Sequence, residues 1–376
     1  MPAKSYSDFL PRTQNSSVRP ITLCSFRHPD HRGGQYRAIA AFDIAPDGSQ
    51  FAVGYGDGSV YVVPTTATTA KAASSSRPHL SAVTSLQFFP SSRVLLTTGV
   101  DFVLTILSAE HLSTPPSERD GPAKVSPVRS LKGHSRAVTS AAIISRGRNV
   151  LSGSKDGTVR LWDVSSGNQI RMMGTQKYTG VLSMAAGDRG DAVFERPPDG
   201  EVVEGETRTP LSVDPREVDT ADKLVFCGLS DGSAEVFDLT TKLSVTHLPA
   251  KTSAGLHAIA YSPKHSLLAT GSSTGIIRVH DTRSLPRPLV SFQRNNASIE
   301  DVAWMSFPGG DVGLAIATED GLPYVAHVRP EGPSVCAELV GPDCDAVRCV
   351  RVHGETGAIW TAGDDGVVRR YKELNP

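Results

Sequence analysis

The chain has few features that would announce a reaction. Its five cysteines, Cys24, Cys227, Cys336, Cys344 and Cys349, are odd in number and form no C-x-x-C pair. That argues against a disulfide framework or a zinc ribbon and for reduced thiols in the cytoplasm or nucleus. Aromatic residues make up only 6% of the chain. The net charge is −1 over 376 residues, so no global excess of basic charge points to nucleic acid or an anionic membrane. No apolar run approaches the roughly 18 residues of a membrane span. The start, Met1 to Gln14, has no apolar stretch behind its charges and does not read as a signal peptide. Walker and H-E-x-x-H motifs are absent. The run Gly54–Ser59, GYGDGS, resembles a phosphate loop only until its missing lysine and missing helix are noticed. No cofactor, no metal and no catalytic activity are expected. The basic run from Arg369 to Lys372 falls on a predicted strand, which splits its side chains between two faces and makes a poor nucleic-acid patch.

Glycine and proline, by contrast, are abundant: 34 and 26 residues, dispersed as turn punctuation between short runs. The clearest unit is GHSRAVTSAAIISRGRNVLSGSKDGTVRLWD, Gly133 to Asp163, which holds three alternating runs separated by turns. Period-two alternation predicts half-buried strands, and Asp156-Gly157 predicts a tight hairpin. Equivalent turns stand at Asp57, Asp101, Asp156, Asp231, Thr274, Asp320 and Asp365, with successive differences of 44, 55, 75, 43, 46 and 45 residues. Four of these match the roughly 40–45 residues of a WD-repeat blade. The reading is an all-β, seven-bladed WD-repeat β-propeller forming a single domain over 1–376. Its last repeat lacks room for a fourth strand. The alternating segment Val18–Phe26 is therefore expected to close the ring from the N-terminus and remove an open sheet edge.

In the third repeat, His134, Ser152, Asp156 and Trp162 stand at the spacing of the structural hydrogen-bond quartet of WD repeats. The same residue types could suggest a Ser-His-Asp triad, but that chemistry needs a nucleophile presented at a cleft. Other repeats carry Leu107, Phe237, His280 and Tyr371 near the tryptophan position, and most of the quartet reads as lost there. The two long spacings contain linkers at 64–80 and 111–128 and an insertion at 188–222. The first linker is read as a loop between the first two blades and the second as a spacer before the third. The insertion has 11 acidic residues and 4 arginines, net −7, which leaves the rest of the chain at +6. It is placed between the first and second strands of the fourth blade, opposite the Asp-Gly turns. A solvated acidic loop is the plainer reading of it, and a docking arm for a basic partner the sharper one.

Three stretches go further than the generic repeat. Ser130–Asp163 with its Arg146-Gly147-Arg148-Asn149 turn, Glu338–Leu374 with Gly341, Asp343-Cys344-Asp345 and the Arg-Arg-Tyr ending, and Leu96–Glu110 resemble the proteasomal ATPase-associated factor family. The acidic insertion and the Thr/Ala/Ser linker depart from it. The resemblance implies a monomeric assembly chaperone of the proteasome regulatory particle, binding the C-terminal domain of an ATPase subunit of the base in cytoplasm and nucleus. Propellers bind mostly on their turn-bearing face, where Arg136, Lys155, Glu300, Glu319, Asp343, Asp345 and Asp364 are candidate contacts; five of the seven are acidic and would suit a basic partner. Two other functions stay open: a general scaffold, and a substrate receptor of a cullin-type ubiquitin ligase, suggested by Val279-His280-Asp281-Thr282-Arg283 as a degraded WD-x-R box.

Overall fold

The computed structural model describes residues 17–18, 22–25, 37–66, 73–110, 122–192, 214–307, 310–329, 331–342 and 344–371. Its strands form seven sheets of four or five members, and no α-helix occurs among the described residues. Blade 1 consists of Ile39–Ile44, Gln50–Tyr55, Val60–Pro64 and Ser74–Ser76; blade 2 of Val83–Phe88, Val94–Gly99, Val103–Ser108 and Pro127–Lys132; blade 3 of Val138–Ile144, Asn149–Ser154, Thr158–Asp163 and Gln169–Gly174. Blades 4 to 6 begin at Val181–Asp188, Leu256–Ser262 and Ile299–Ser306, and blade 7 comprises Val347–Val352, Ile359–Gly363 and Val367–Tyr371. Within each blade the strands pair antiparallel in chain order, from the axis outward.

The ring closes as a four-stranded last blade. Thr22–Ser25 pairs antiparallel with the final strand, Thr22 opposite Arg370 and Ser25 opposite Val367. The N-terminal segment is divided, however. Val18, taken above as part of that strand, instead pairs in parallel with Leu339 on the edge of blade 6.

Two other expectations need correction. The stretch 64–80 is not simply a loop between blades. Ser74–Ser76 is the fourth strand of blade 1, and His79 is buried in blade 2. The stretch 111–128 falls inside blade 2, running from its third strand into the start of its fourth, Pro127–Lys132, and Ala123–Lys124 pairs in parallel with Ser74–Ser75. Both escaped detection because outermost strands lie far from the packed faces and need no apolar alternation. Serines fill such an edge as well as valines do. The insertion does lie between the first and second strands of blade 4, Val181–Asp188 and Lys223–Leu229; residues 193–213 are outside the described residues.

Packing is distributed among the gaps between blades. Each of seven apolar clusters draws on two adjacent sheets. Between blades 2 and 3, for example, Leu96, Leu104 and Leu131 meet Val138, Val150 and Trp162. Between blades 7 and 1, Trp360 and Val368 meet Phe42 and Phe51. A middle strand is therefore covered on both faces: every residue of Gln50–Tyr55 and Asn149–Ser154 is buried. Their near-continuous burial follows from the sandwich on either side.

Polar bonds also cross each gap. Asp43 accepts the Phe88 N–H at 2.8 Å; Thr84 donates to the Val138 carbonyl at 2.6 Å; Thr139 donates to Val181 at 2.9 Å; Ser183 donates to Leu256 at 2.8 Å. The Trp304 indole donates to Ala260 at 3.0 Å, Asp301 accepts the Val350 N–H at 3.1 Å, and Arg351 reaches Asp43 at 3.2 Å. The seven junctions are thus all stitched, including the one that closes the ring.

Candidate functional site

The hairpin turns between second and third strands and the loops between consecutive blades share one face. In the turn of blade 3, His134 Nδ1 lies 2.8 Å from Asp156 and Nε2 lies 2.7 Å from Ser152 Oγ, and Trp162 Nε1 donates to that oxygen at 2.9 Å. With Nδ1–H donating to the carboxylate, Ser152 donates to Nε2 and accepts from the indole, so the buried groups of the chain are partnered. Burial lowers the His134 pKa and outweighs the raising effect of Asp156. Burial also tends to raise the Asp156 carboxyl, but hydrogen bonds from Thr158, His134 and the Ser135 N–H pull it down to about 2. Ser152 is wholly buried, so its hydroxyl is not presented to a substrate.

Blade 2 preserves more of this network than the sequence reading allowed. His79 Nδ1 lies 2.9 Å from Asp101 and Nε2 lies 2.9 Å from Thr97 Oγ1. The histidine-to-aspartate and histidine-to-hydroxyl spacings, 22 and 18 residues, are the same in both blades. That shared spacing was the available signal; Leu107 in place of tryptophan and threonine in place of serine concealed it. Register places Leu107, Phe237, His280 and Tyr371 opposite Leu95, Val225, Leu268 and Ile359, as Trp162 stands opposite Val150. His280 is buried, with Nδ1 on the Leu285 carbonyl at 2.8 Å, and the neighbouring Arg283 is pinned to Asp281 at 2.7 Å.

The candidate contact residues distribute by charge. Arg136 and Lys155 are exposed on blade 3. Glu319 is exposed on the blade 6 turn and Asp345 on the loop leading into blade 7. Glu300 and Asp364 are partly buried and come together through Arg348, at 2.9 and 2.7 Å. Those contacts hold Arg348 above the ordinary arginine range, the Asp364 hydrogen bond contributing most and burial opposing it. Asp343 lies outside the described residues. The turn face therefore carries exposed cations on blade 3 and exposed carboxylates on blades 6 and 7.

The first strands enclose an axial cavity of about 690 Å³, lined by Lys155, Glu300, Arg348 and Arg351 among others. Arg351 lies between Asp43 and Asp301. Burial works against its charge, but the two carboxylates hold its pKa above the ordinary value. Among the described residues no three His, Cys, Asp or Glu side chains are grouped to hold a metal ion, and no helix is long and apolar enough to cross a membrane.

Comparison with known proteins agrees with this geometry. The chain is 26% identical to the 26S proteasome regulatory subunit RPN14 of Saccharomyces cerevisiae over 307 residues, covering 79% of this chain and 68% of that one. It is 25% identical to the human angio-associated migratory cell protein over 217 residues, 50% of this chain, and spans only 48% of that relative's length. It is 32% identical to bovine striatin-3 over 92 residues, 24% of this chain and 11% of that one. Residues 125–163 and 242–281 match the WD domain, G-beta repeat family. With those matches and seven sheets stitched around one axis, the chain is a seven-bladed β-propeller carrying WD40 repeats.

Proposed function

We propose that this propeller is a protein-binding chaperone for assembly of the base of the proteasome regulatory particle, holding the C-terminal domain of an ATPase subunit on its turn-bearing face. The observation that carries the reading is similarity over 79% of the chain to a yeast 26S proteasome regulatory subunit. The exposed carboxylates Glu319 and Asp345 support it, since they offer a basic partner surface a complementary sector. Chaperoning here is steric and thermodynamic. A bound propeller selects the unassembled state of the ATPase and delays its docking onto the proteolytic core. The protein acts in the cytoplasm and nucleus, where that assembly takes place.

Affinity purification of the tagged full-length chain from its own cells, followed by mass spectrometry, tests the proposal. Recovery of regulatory-particle ATPases without the core particle is the expected result. Equal abundance in finished proteasomes, or recovery of a cullin-ligase adaptor lost in Arg283→Ala, would overturn it.

A further inference from the structure

We propose that the turn face of blade 2 is a docking site for an acidic peptide segment of a partner protein, anchored by a bulky apolar residue. The proposal is independent of the reading given above for the carboxylates of blades 6 and 7.

The starting observation is a mismatch between residue and backbone. In the turn joining second and third strands, six blades place glycine at the last position, Gly58, Gly157, Gly232, Gly275, Gly321 and Gly366, all at positive φ. Space and dihedral both demand it. A Cβ would lie 2.1 Å from the His79 carbonyl oxygen at Gly58, 2.3 Å from that of Tyr178 at Gly157 and 2.2 Å from that of Asn295 at Gly275. Blade 2 has Phe102 there, at φ 71°, closing the same turn through its N–H to the Gly99 carbonyl. A bulky residue in the left-handed region is strained, and Phe102 is 43% exposed, so much of its side chain is open to solvent rather than packed in the core.

Phe102 has apolar company. Leu80 is 91% exposed and Val100, two residues before Phe102, is exposed as well. The three are held together around Asp101, whose carboxylate accepts the Leu80 N–H at 3.0 Å and contacts His79 at 2.9 Å. The acid of this turn is thus committed to the interior. Three exposed cations lie on the adjoining strand and loops. Lys132 sits directly across the ladder from Val103, Arg136 follows on the loop into blade 3, and Arg77 precedes Leu80 and bonds the Asp57 carbonyl at 3.1 Å. Among the described residues none of the three pairs with a carboxylate. Exposed apolar residues with arginine and lysine on the adjoining strand and loops complement an apolar side chain flanked by aspartate or glutamate.

Peptides selected from a random displayed library on the immobilised full-length chain test this, with the recovered sequences synthesised and titrated by fluorescence anisotropy. The expected peptides are acidic with a large apolar residue. Phe102→Gly should weaken them about tenfold or more, and Lys132→Glu should weaken them with the salt dependence of an ionic contact. Phe102→Gly should also leave the melting temperature unchanged or raise it, because glycine relieves the turn. Three outcomes overturn the proposal: recovery of no acidic peptide, equal binding to Phe102→Gly, or a lower melting temperature in that variant, which would make Phe102 a packing residue. Glu319 and Asp345 are untouched in every variant, so a failure here leaves the ATPase reading standing and the reverse also holds.

Discussion

Arg351, in the last blade, places its Nε 3.2 Å from Oδ1 of Asp43, in the first blade and 308 positions earlier in the chain. The same guanidinium contacts Asp301 of blade 6, so one side chain spans three blades at the ring's closing junction. Apolar packing of Trp360 against Phe42 and pairing of Thr22–Ser25 with the last strand complete that junction. Arg351→Met should lower stability by about 2 kcal/mol, the scale of a charged hydrogen bond lost with its carboxylates left behind. Urea unfolding of the full chain reads it. Thr139→Val, which removes a neutral bond at an ordinary junction, should cost about 1 kcal/mol. Equal costs would mean that the closing junction has no special weight.

The two histidine networks make a paired test. Trp162→Phe keeps most of the buried volume and loses one hydrogen bond to Ser152, which should cost about 1 to 2 kcal/mol, against about 3 to 5 for Trp162→Ala. Asp101→Ala and Asp156→Ala should be alike, about 1 to 3 kcal/mol each, because each leaves a buried imidazole without its acceptor. Thermal melts distinguish these from the result in which Asp101→Ala is silent and the blade 2 network has no structural weight.

Stability should fall with acidification in two stages. Burial lowers the pKa of His79 and His134 below the ordinary 6.5 despite their aspartates. The unfolded chain therefore takes up protons first, and stability is lost as pH drops through the unfolded histidine value. Asp57 and Asp156, both held at about 2 by hydrogen bonds that overcome their burial, contribute stability above the ordinary 3.8 that is lost as pH falls further toward 2. Melting curves from pH 8 down to pH 3 check both stages. A midpoint that rises on passing below 6.5 would show the histidines to be charged in the fold.

Charge reversal of the exposed carboxylates addresses partner binding without touching the scaffold. Glu319→Lys with Asp345→Lys should weaken capture of a regulatory-particle ATPase by about tenfold, mainly through slower association at low salt, while the melting temperature stays put. Unchanged affinity in calorimetry would move the contact off this sector.

Much of this architecture was legible in the residues. The Asp-Gly turns recur because a tight hairpin needs a residue tolerant of positive φ, and their spacing counts the blades. The 22-residue and 18-residue intervals of His134 to Asp156 and Ser152 identify a network whose geometry the blade dictates. Outer strands were less readable. Ser74–Ser76 and Ala123–Lys124 have no buried face to impress an alternation on them, and so looked like loop.

What the sequence determined alone is the local set: short strands, tight turns, the repeat period, and hence a seven-bladed ring. Those follow from backbone sterics and hydrophobic alternation within some forty residues at a time. The tertiary structure decided what lies between distant segments: that Arg351 meets Asp43, that Val18 and Thr22 serve different blades, and that Phe102 occupies a turn position where the other six blades have glycine at positive φ. These depend on how neighbouring sheets approach and how closely the next loop passes, distances set by the closed ring and written in no single repeat.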